Sequence, residues 1–191
     1  GLGDVYKRQG KRVTTNDYGS ADYYYVNKSS LPKVYGGFNT SLSWKGFDLS
    51  AIFAYSIGGY IYNRDITMIL HNGSLEGRDW STEILKRWTP DNRNTDVPAL
   101  STTTNNWNSA STRFLQNNSY MRLKNLTLSY NLPKQWISKL SLSSVQVYVQ
   151  GDNLFTIHRN QGLDPEQGIT GITYYRYPAM RTISGGINVS F

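Results

Sequence analysis

The stretch that decides the fold is residues 183–191, which read Ile183-Ser184-Gly185-Gly186-Ile187-Asn188-Val189-Ser190-Phe191. Apolar residues alternate with small or polar ones, and the last residue is aromatic. A period of two predicts a β-strand with one apolar face. In water this is a half-buried strand of a sandwich. In a bilayer it is a barrel strand whose apolar side chains face lipid. The stretch alone leaves both solvents open.

Composition narrows the choice between a soluble sandwich and a membrane barrel only slightly. The chain has 191 residues, enough to bury a core as one domain. It contains no run of about 18 apolar residues, so we expect no transmembrane helix. A membrane barrel escapes this test because only every second residue must be apolar, so a mean hydropathy of -0.52 fits either solvent. The absence of cysteine excludes a disulfide framework and thiol-based metal or nucleophile chemistry.

The charge and the aromatic content also fit both a membrane barrel and a soluble sandwich. The net charge of +7 is spread along the chain, and this distribution does not predict a nucleic-acid partner. Fifteen Tyr, five Trp and seventeen Gly are typical of a β protein with aromatic girdles and tight turns. A secreted, soluble β-sandwich that binds polysaccharide has a similar composition.

Four more stretches alternate like the last one: residues 37–44, 47–57, 120–132 and 145–155. Lys45-Gly46 joins the first two as a hairpin. If the solvent is a bilayer, the apolar positions of the last three strands face lipid. These predicted lipid-facing residues are Leu126, Leu128, Tyr130, Val145, Val147, Val149, Ile187, Val189 and Phe191.

The lengths of the connections favour the barrel over the sandwich. They are long up to residue 33, short at 45–46, long from 60 to 118, short from 133 to 141 and long from 156 to 178. Outer-membrane barrels alternate long extracellular loops with short periplasmic turns in this way. Within the longest loop, Ser81 or Thr82 is expected to cap a short helix over residues 83–88. Residues 11–33 and the Thr/Asn/Ser tract of 102–111 are interpreted as loop.

Five strands cannot close a membrane barrel, because the smallest barrels have about eight. An open sheet edge in lipid would leave backbone groups unpaired. We therefore expect this chain to be the C-terminal part of a longer protein, and we expect the outer edge of its last strand to be unpaired. Residues 1–9 match no pattern that continues into the chain and resemble translated sequencing adapters. We interpret them as a non-native leader.

Four spaced blocks carry a family resemblance. They begin at Arg87, Ser119, Val147 and Tyr177 and read Arg-Trp-Thr-Pro-Asp-Asn, Ser-Tyr-Met-Arg-Leu-Lys-Asn-Leu-Thr-Leu-Ser-Tyr-Asn-Leu-Pro, Val-Tyr-Val-Gln-Gly-Asp-Asn-Leu-Phe-Thr and Tyr-Pro-Ala-Met-Arg-Thr. In this order they resemble the C-terminal region of SusC/RagA-type TonB-dependent outer-membrane receptors. The resemblance runs from about Pro32 to the last residue and fails over residues 1–9.

The resemblance implies a fold and a function. It implies an all-β, antiparallel, up-and-down barrel of 22 strands, of which residues 10–191 supply about the last five, with a plug domain in the lumen. It implies import of glycans, oligosaccharides or peptides across the outer membrane of a Gram-negative, Bacteroidetes-like cell. The implied partners are a SusD-like surface lipoprotein, the TonB complex acting through the missing N-terminal part, outer-membrane lipid, and the barrel-assembly machinery at the C-terminal strand. No enzymatic activity, cofactor or metal is implied.

Aromatic residues in the long loops are the candidate ligand-facing or partner-facing residues, because Trp and Tyr rings stack on sugar faces. We select Trp80, Trp107, Tyr174 and Tyr175. A structural role remains open for each of them, and Tyr174 and Tyr175 also fit an aromatic girdle at the membrane interface. Trp88 is interpreted as a packing residue that anchors the loop.

The remaining polar motifs receive plain interpretations. His71 and His158 lack metal-ligand spacing. The carboxylates of Asp164-Pro165-Glu166 are expected to be solvated in an exposed loop rather than to serve acid–base chemistry or calcium.

Overall fold

A computed structural model describes residues 4–8, 11–15, 17–21, 25–71, 75, 77–101, 108–162, 164–166, 168–173 and 176–191. The chain divides into two compact units. The first, which we call the sheet unit, contains residues 30–60, 117–169 and 176–191. The second, which we call the loop unit, contains residues 1–29, 61–116 and 170–175.

Ten strands and two short α-helices make up the described secondary structure. In chain order they are β1 (Asp4–Arg8), β2 (Lys11–Thr15), β3 (Pro32–Trp44), β4 (Phe47–Gly58), β5 (Tyr60–Asn63), α1 (Arg64–Ile69), β6 (Leu115–Asn117), β7 (Tyr120–Asn131), α2 (Lys134–Ile137), β8 (Ser144–His158), β9 (Ile172–Thr173) and β10 (Thr182–Ser190). Single 3-10 turns cover Tyr18–Ser20, Thr82–Lys86, Thr112–Phe114 and Ser138–Leu140.

The sheet unit is one antiparallel sheet with the order β10-β8-β7-β4-β3. The five strands predicted from alternation are confirmed, with β3 starting earlier and β8 ending later than expected. Lys45 and Gly46 have φ of 49° and 88°, the left-handed pair that a two-residue hairpin turn requires. Pro133 ends the strand region after β7, and α2 with the following 3-10 turn forms the predicted short connection.

One face of this sheet is apolar across all five strands. Register places Leu42, Leu49, Leu128 and Val149 in one row across β3, β4, β7 and β8. The next row toward the turns contains Trp44, Phe47, Tyr130, Val147 and Ile187. All the predicted lipid-facing positions on β7, β8 and β10 share this face, which we call the apolar face, and Phe191 follows two residues after Val189. Many of its side chains are exposed, including Leu42, Leu128, Val147 and Ile187.

Two pairs of aromatic side chains lie on the apolar face. Near the Lys45-Gly46 turn, the rings of Phe47 and Tyr130 lie 4.5 Å apart between centroids. Toward the other end, Phe38 stacks on Phe53 at 4.7 Å. Aromatic rings are favoured at membrane–water interfaces because one part of the ring is apolar and the other polar.

The opposite face, the polar face, is linked by side-chain hydrogen bonds across the strands. Asn131 donates to Asp48 at 2.7 Å, Gln146 donates to Asn131 at 3.1 Å, and Asn188 donates to Gln146 at 3.2 Å. Ser43 extends the chain by donating to Asp48, so all five strands contribute one member. We call this row the polar ladder. An amide-rich face of this kind is suited to a wet lumen rather than to lipid.

A β-bulge interrupts the alternation of β7. Ile52 pairs with Asn125 and Phe53 pairs with Leu123, which leaves Lys124 as the extra residue opposite β4. On the other side, Leu123 pairs with Phe155 and Asn125 with Asp152, and Asn153 has a positive φ of 52°. A bulge bends a strand and re-aims its side chains. Here it puts Arg122 on the same face as Asn125, the polar face, although the two residues are three positions apart.

Strands β10 and β3 form the two edges of the five-stranded sheet within the described part of the chain. The prediction that the outer edge of the last strand is unpaired is therefore confirmed for these residues. No helix in the described ranges is long and apolar enough to cross a membrane.

The loop unit contains structure that the sequence interpretation missed. Residues 11–33 were interpreted as loop, but Lys11–Thr15 pairs with Asp4–Arg8 as a hairpin. Likewise β5 pairs in parallel with β9, more than one hundred residues later in the chain. The predicted helix at 83–88 exists as a 3-10 turn over Thr82–Lys86, and the Ser81 hydroxyl caps it by accepting from the Glu83 N–H. Ile84 from this turn is buried with Val97.

Candidate functional site

The loop between β8 and β10 is anchored to β7 by a group of four charged residues. Arg122 and Lys124 come from β7 and its bulge, and Asp164 and Glu166 come from the loop. We call this group the charge cluster. It lies wholly within the sheet unit.

The Arg122 guanidinium is the centre of the cluster. It donates to Asp164 at 2.6 Å, to Glu166 at 2.6 Å and to the Thr156 hydroxyl at 2.8 Å. Only 3% of the Arg122 side chain and 8% of the Asp164 side chain are exposed. A buried charge is tolerated only when it is paired and hydrogen-bonded. The three bonds satisfy this condition.

Glu166 is shared between two cations. Its carboxylate also accepts from Lys124 Nζ at 2.7 Å and from the Tyr120 hydroxyl at 3.4 Å. With 27% of Glu166 and 37% of Lys124 exposed, this pair borders solvent and contributes less than the buried pair. The cluster contains two cations and two carboxylates, so it is neutral as a whole.

Asp164 joins the two limbs of the loop. One carboxylate oxygen accepts from Arg122 and from the Glu166 N–H at 2.9 Å, and the other accepts from the Ala179 N–H at 2.7 Å. Burial alone would raise the pKa of Asp164. The Ala179 and Glu166 N–H groups and the Arg122 guanidinium outweigh this effect and hold that pKa below its ordinary value of 3.8. Asp164 is therefore ionised at neutral pH.

The expectation that Asp164 and Glu166 are solvated is wrong. The bulge at Lys124 and the pairing of β7 with β8 place two cations under the loop, and the carboxylates fold onto them. One signal in the sequence pointed to this pairing. Arg122 and Lys124 stand in a strand that is otherwise apolar or neutral, and strand charges that become buried require partners. The following loop supplies two carboxylates within three residues.

A second group of polar contacts supports the same loop. The Asn118 side-chain amide donates to the Pro165 carbonyl at 2.9 Å, and the Asn160 side-chain amide donates to Asn118 Oδ1 at 3.0 Å. The Asn118 N–H donates to the Gly59 carbonyl at 3.1 Å. The ends of both long connections are therefore bonded to one another around Asn118.

Trp80 is held within the loop unit by one hydrogen bond and one ring contact, both with His71. Its indole N–H donates to His71 Nδ1 at 3.1 Å, the two rings meet edge to face, and 44% of Trp80 is exposed. Because Nδ1 accepts, neutral His71 carries its proton on Nε2. His71 is a buried packing partner of the partly exposed Trp80.

The Arg-Trp-Thr-Pro-Asp-Asn block folds as a compact turn around Asn92. The Asn92 amide donates to the carbonyl groups of Lys86 and Arg87 at 3.0 and 3.2 Å. The Trp88 N–H donates to the Val97 carbonyl at 2.8 Å, and the Thr95 hydroxyl donates to the Lys86 carbonyl at 2.6 Å. These hydrogen bonds give the block a structural role, because they hold the turn together. They show an anchoring role for the Trp88 backbone, while its ring is partly exposed.

Three of the four aromatic candidates, Trp107, Tyr174 and Tyr175, lie outside the described residues. Their roles stay predictions. The structure therefore places one candidate, Trp80, and adds the charge cluster, which the sequence interpretation did not select.

Comparison with known proteins gives consistent results. No protein-family model matches the chain. TonB-dependent receptor P3 of Formosa agariphila is 35% identical over 166 residues, which cover 81% of this chain and 16% of that protein. TonB-dependent receptor SusC of Bacteroides thetaiotaomicron is 27% identical over 195 residues, covering 98% of this chain and 18% of that protein. A structure of the RagAB peptide importer in its open-open state superposes with a TM-score of 0.83 and 34% identity, covering all of this chain and 21% of that one.

The chain is a relative of the SusC/RagA-type TonB-dependent outer-membrane receptors. It spans less than a fifth of the length of the two curated relatives named above. The five-stranded sheet of this SusC/RagA-type chain is a segment of an antiparallel barrel wall that is not closed by the strands present. Receptors of this type are outer-membrane proteins of Bacteroidetes.

Proposed function

We propose that this SusC/RagA-type segment forms part of the wall of a TonB-dependent importer that takes up oligosaccharides or peptides. The observation that carries the proposal is the two-faced sheet. Its apolar face is exposed on every strand, and its polar face is connected by the polar ladder. A contiguous exposed apolar face would be an aggregation site in water but is the ordinary outer surface of a barrel in lipid.

The apolar face is proposed to contact lipid through Leu126, Leu128, Tyr130, Val145, Val147, Val149, Ile187, Val189 and Phe191. Residues 10–191 are proposed to belong to the C-terminal part of the barrel domain, with the barrel-assembly machinery acting on β10. The interpretation of residues 1–9 as a non-native leader stays a prediction, and mapping of raw sequence reads across Gln9 and Gly10 tests it.

The long loops are proposed to face a SusD-like surface lipoprotein and the ligand. Trp80 supports this role because half of its surface is available and its indole N–H is already held by His71. A held aromatic ring loses little conformational freedom when a sugar ring or a peptide side chain stacks on it. Trp107, Tyr174 and Tyr175 are proposed to belong to the same surface.

Ligand class is tested with the full-length gene. Deletion from its host should abolish accumulation of one labelled pool, either oligosaccharides or peptides, and the whole gene should restore it. Dissipation of the proton gradient should abolish the same uptake in the complemented strain. Co-purification of a lipoprotein with the tagged receptor tests the partner. Unchanged uptake of both pools in the deletion strain would refute the import function.

The alternative of a soluble polysaccharide-binding sandwich makes a separate prediction. It requires the full-length protein to be found in the soluble fraction and to bind polysaccharide without detergent. Recovery of the protein from outer-membrane fractions, and only with detergent, would exclude this alternative.

A further inference from the structure

Residues 164 and 179 form the neck of the loop that connects β8 to β10. Asp164 on the outgoing limb accepts from the Ala179 N–H on the returning limb, at 2.7 Å. This bond holds the two limbs of the loop together where they leave the sheet.

The neck is also attached to the barrel wall. The same carboxylate accepts from the buried Arg122 guanidinium at 2.6 Å, and Arg122 is fixed to β8 through the Thr156 hydroxyl at 2.8 Å. Glu166 provides a second attachment to Arg122 on the outgoing limb. The returning limb has its own contact, because the Asn153 amide donates to the Met180 carbonyl at 3.2 Å.

We infer that Arg122 and Asp164 form a clasp that holds the two limbs of the loop, residues 164–166 and 176–180, on the barrel wall, and that Arg122 is a positioning residue for these limbs during ligand capture. Only the second part of this inference, the role of Arg122 in ligand capture, rests on the proposed import function. The clasp itself is a statement about the loop and stands or fails without any transport measurement.

The geometry distinguishes a clasp from an ordinary surface ion pair. Exposed pairs gain little because water screens both charges. Here both partners are more than nine-tenths buried, and every contact of the Asp164 carboxylate named above bridges a different segment of chain: β7, the outgoing limb and the returning limb. Loss of Arg122 leaves the Asp164 carboxylate buried without its guanidinium partner, and loss of Asp164 leaves Arg122 with Glu166 as its carboxylate partner.

Hydrogen exchange measures the clasp directly in the full-length receptor. The Ala179 N–H is one of its bonds, so peptides that cover Ala179 report its opening. Asp164→Asn and Arg122→Gln are each expected to speed exchange of these peptides about tenfold, equivalent to about 1.4 kcal/mol. The double variant should exchange no more than about threefold faster than the faster single variant, because the two changes break one interaction.

Asp152→Asn is the matched control. Asp152 is a carboxylate on the same face that accepts from Asn125 and Gln150, and neither partner lies in the loop. Its substitution should leave exchange at Ala179 unchanged. Equal acceleration by Asp152→Asn, no acceleration by Asp164→Asn, or multiplicative effects in the double variant would each overturn the clasp. If Arg122→Gln prevents barrel assembly, Asp164→Asn with its control still decides the question.

The positioning role is tested by uptake kinetics at equal receptor abundance. Opening of the clasp is expected to raise the half-saturating ligand concentration several-fold with an unchanged maximal rate. A merely structural defect would lower the amount of receptor and the maximal rate instead. Faster exchange at Ala179 with an unchanged half-saturating concentration would support the clasp and overturn its role in capture. Absence of uptake by the wild-type receptor would refute the proposed function and leave the clasp untouched.

Discussion

Lysine substitution on β7 tests which face of the sheet contacts lipid. The row of Trp44, Phe47 and Tyr130 marks the aromatic border of the apolar band. Leu128 lies two residues further along the strand, and Leu126 lies four. With about 3.4 Å per residue and a tilt of about 40°, each pair of residues moves about 5 Å along the membrane normal.

These depths give a graded prediction. The apolar band of an outer-membrane barrel is about 25 Å tall, so Leu126 at about 10 Å from the border lies near the midplane and Leu128 at about 5 Å lies closer to the interface. A Lys on the lipid face costs about 2–4 kcal/mol at the midplane and about 0–1 near the interface. We therefore expect a loss of about 3 kcal/mol for Leu126→Lys and about 2 for Leu128→Lys.

Thr127→Lys is the control, because Thr127 lies between the two leucines in sequence but on the polar face. We expect it to cost less than about 1 kcal/mol. The measurement is guanidinium unfolding of the full-length receptor in lipid vesicles, followed by tryptophan fluorescence under conditions where unfolding and refolding curves coincide. A loss at Thr127 equal to that at Leu126, or a larger loss at Leu128 than at Leu126, would refute the facing and depth assigned above.

Three further perturbations test other parts of the sheet. Gly186→Ala should cost about 1–2 kcal/mol, because its Cβ would lie 2.7 Å from the Tyr148 hydroxyl, whereas Gly185→Ala should cost less in the same unfolding assay. Asn131→Leu should cost about 1 kcal/mol, since it removes ladder bonds to both neighbouring strands; no loss would show that the ladder is not stabilising. The stability that ionised Asp164 contributes should be constant at pH 5–8 and fall below about pH 4, as the difference between wild type and Asp164→Asn measured against pH will show.

The sign of the last prediction follows from the lowered pKa of Asp164. A carboxyl group that is more acidic in the folded protein binds fewer protons there than in the unfolded chain. Its contribution is therefore complete above the unfolded pKa and is lost as the pH falls through the folded one. The groups that bond the Asp164 carboxylate and lower its pKa are the Ala179 and Glu166 N–H groups and the Arg122 guanidinium. An increase of the difference toward acid would contradict this account.

Alternation of apolar and polar residues predicted the five long strands. A barrel wall has lipid on one side and water on the other, so each strand keeps a period of two along its length. The residues of β7 between Asn125 and Asn131 illustrate this, with every second side chain on the apolar face. The same alternation gave the face assignments of β8 and β10. These assignments did not require knowing which strands pair.

The features that sequence reasoning missed depend on pairing between distant residues. Arg122 meets Asp164 across 42 positions of chain, and Tyr62 meets Ile172 in a two-residue parallel ladder too short to leave a periodic signal. Neither contact follows from local preference. The bulge at Lys124 is a single extra residue, which alternation registers only as a change of phase.

That change of phase gives position 124 an unusual status. On β7, Arg122 and Asn125 share the polar face although they are three positions apart, because the bulge absorbs one residue. Deletion of Lys124 would remove the extra residue and restore strict alternation, with Leu123 still opposite Phe53 and Arg122 still opposite Ala54. If instead Lys124 stayed and the bulge were lost, Arg122 would point to lipid and Leu123 to the lumen. The bulge therefore acts as a phase corrector, which gives the segment of β7 above it the same inside and outside as the segment below it.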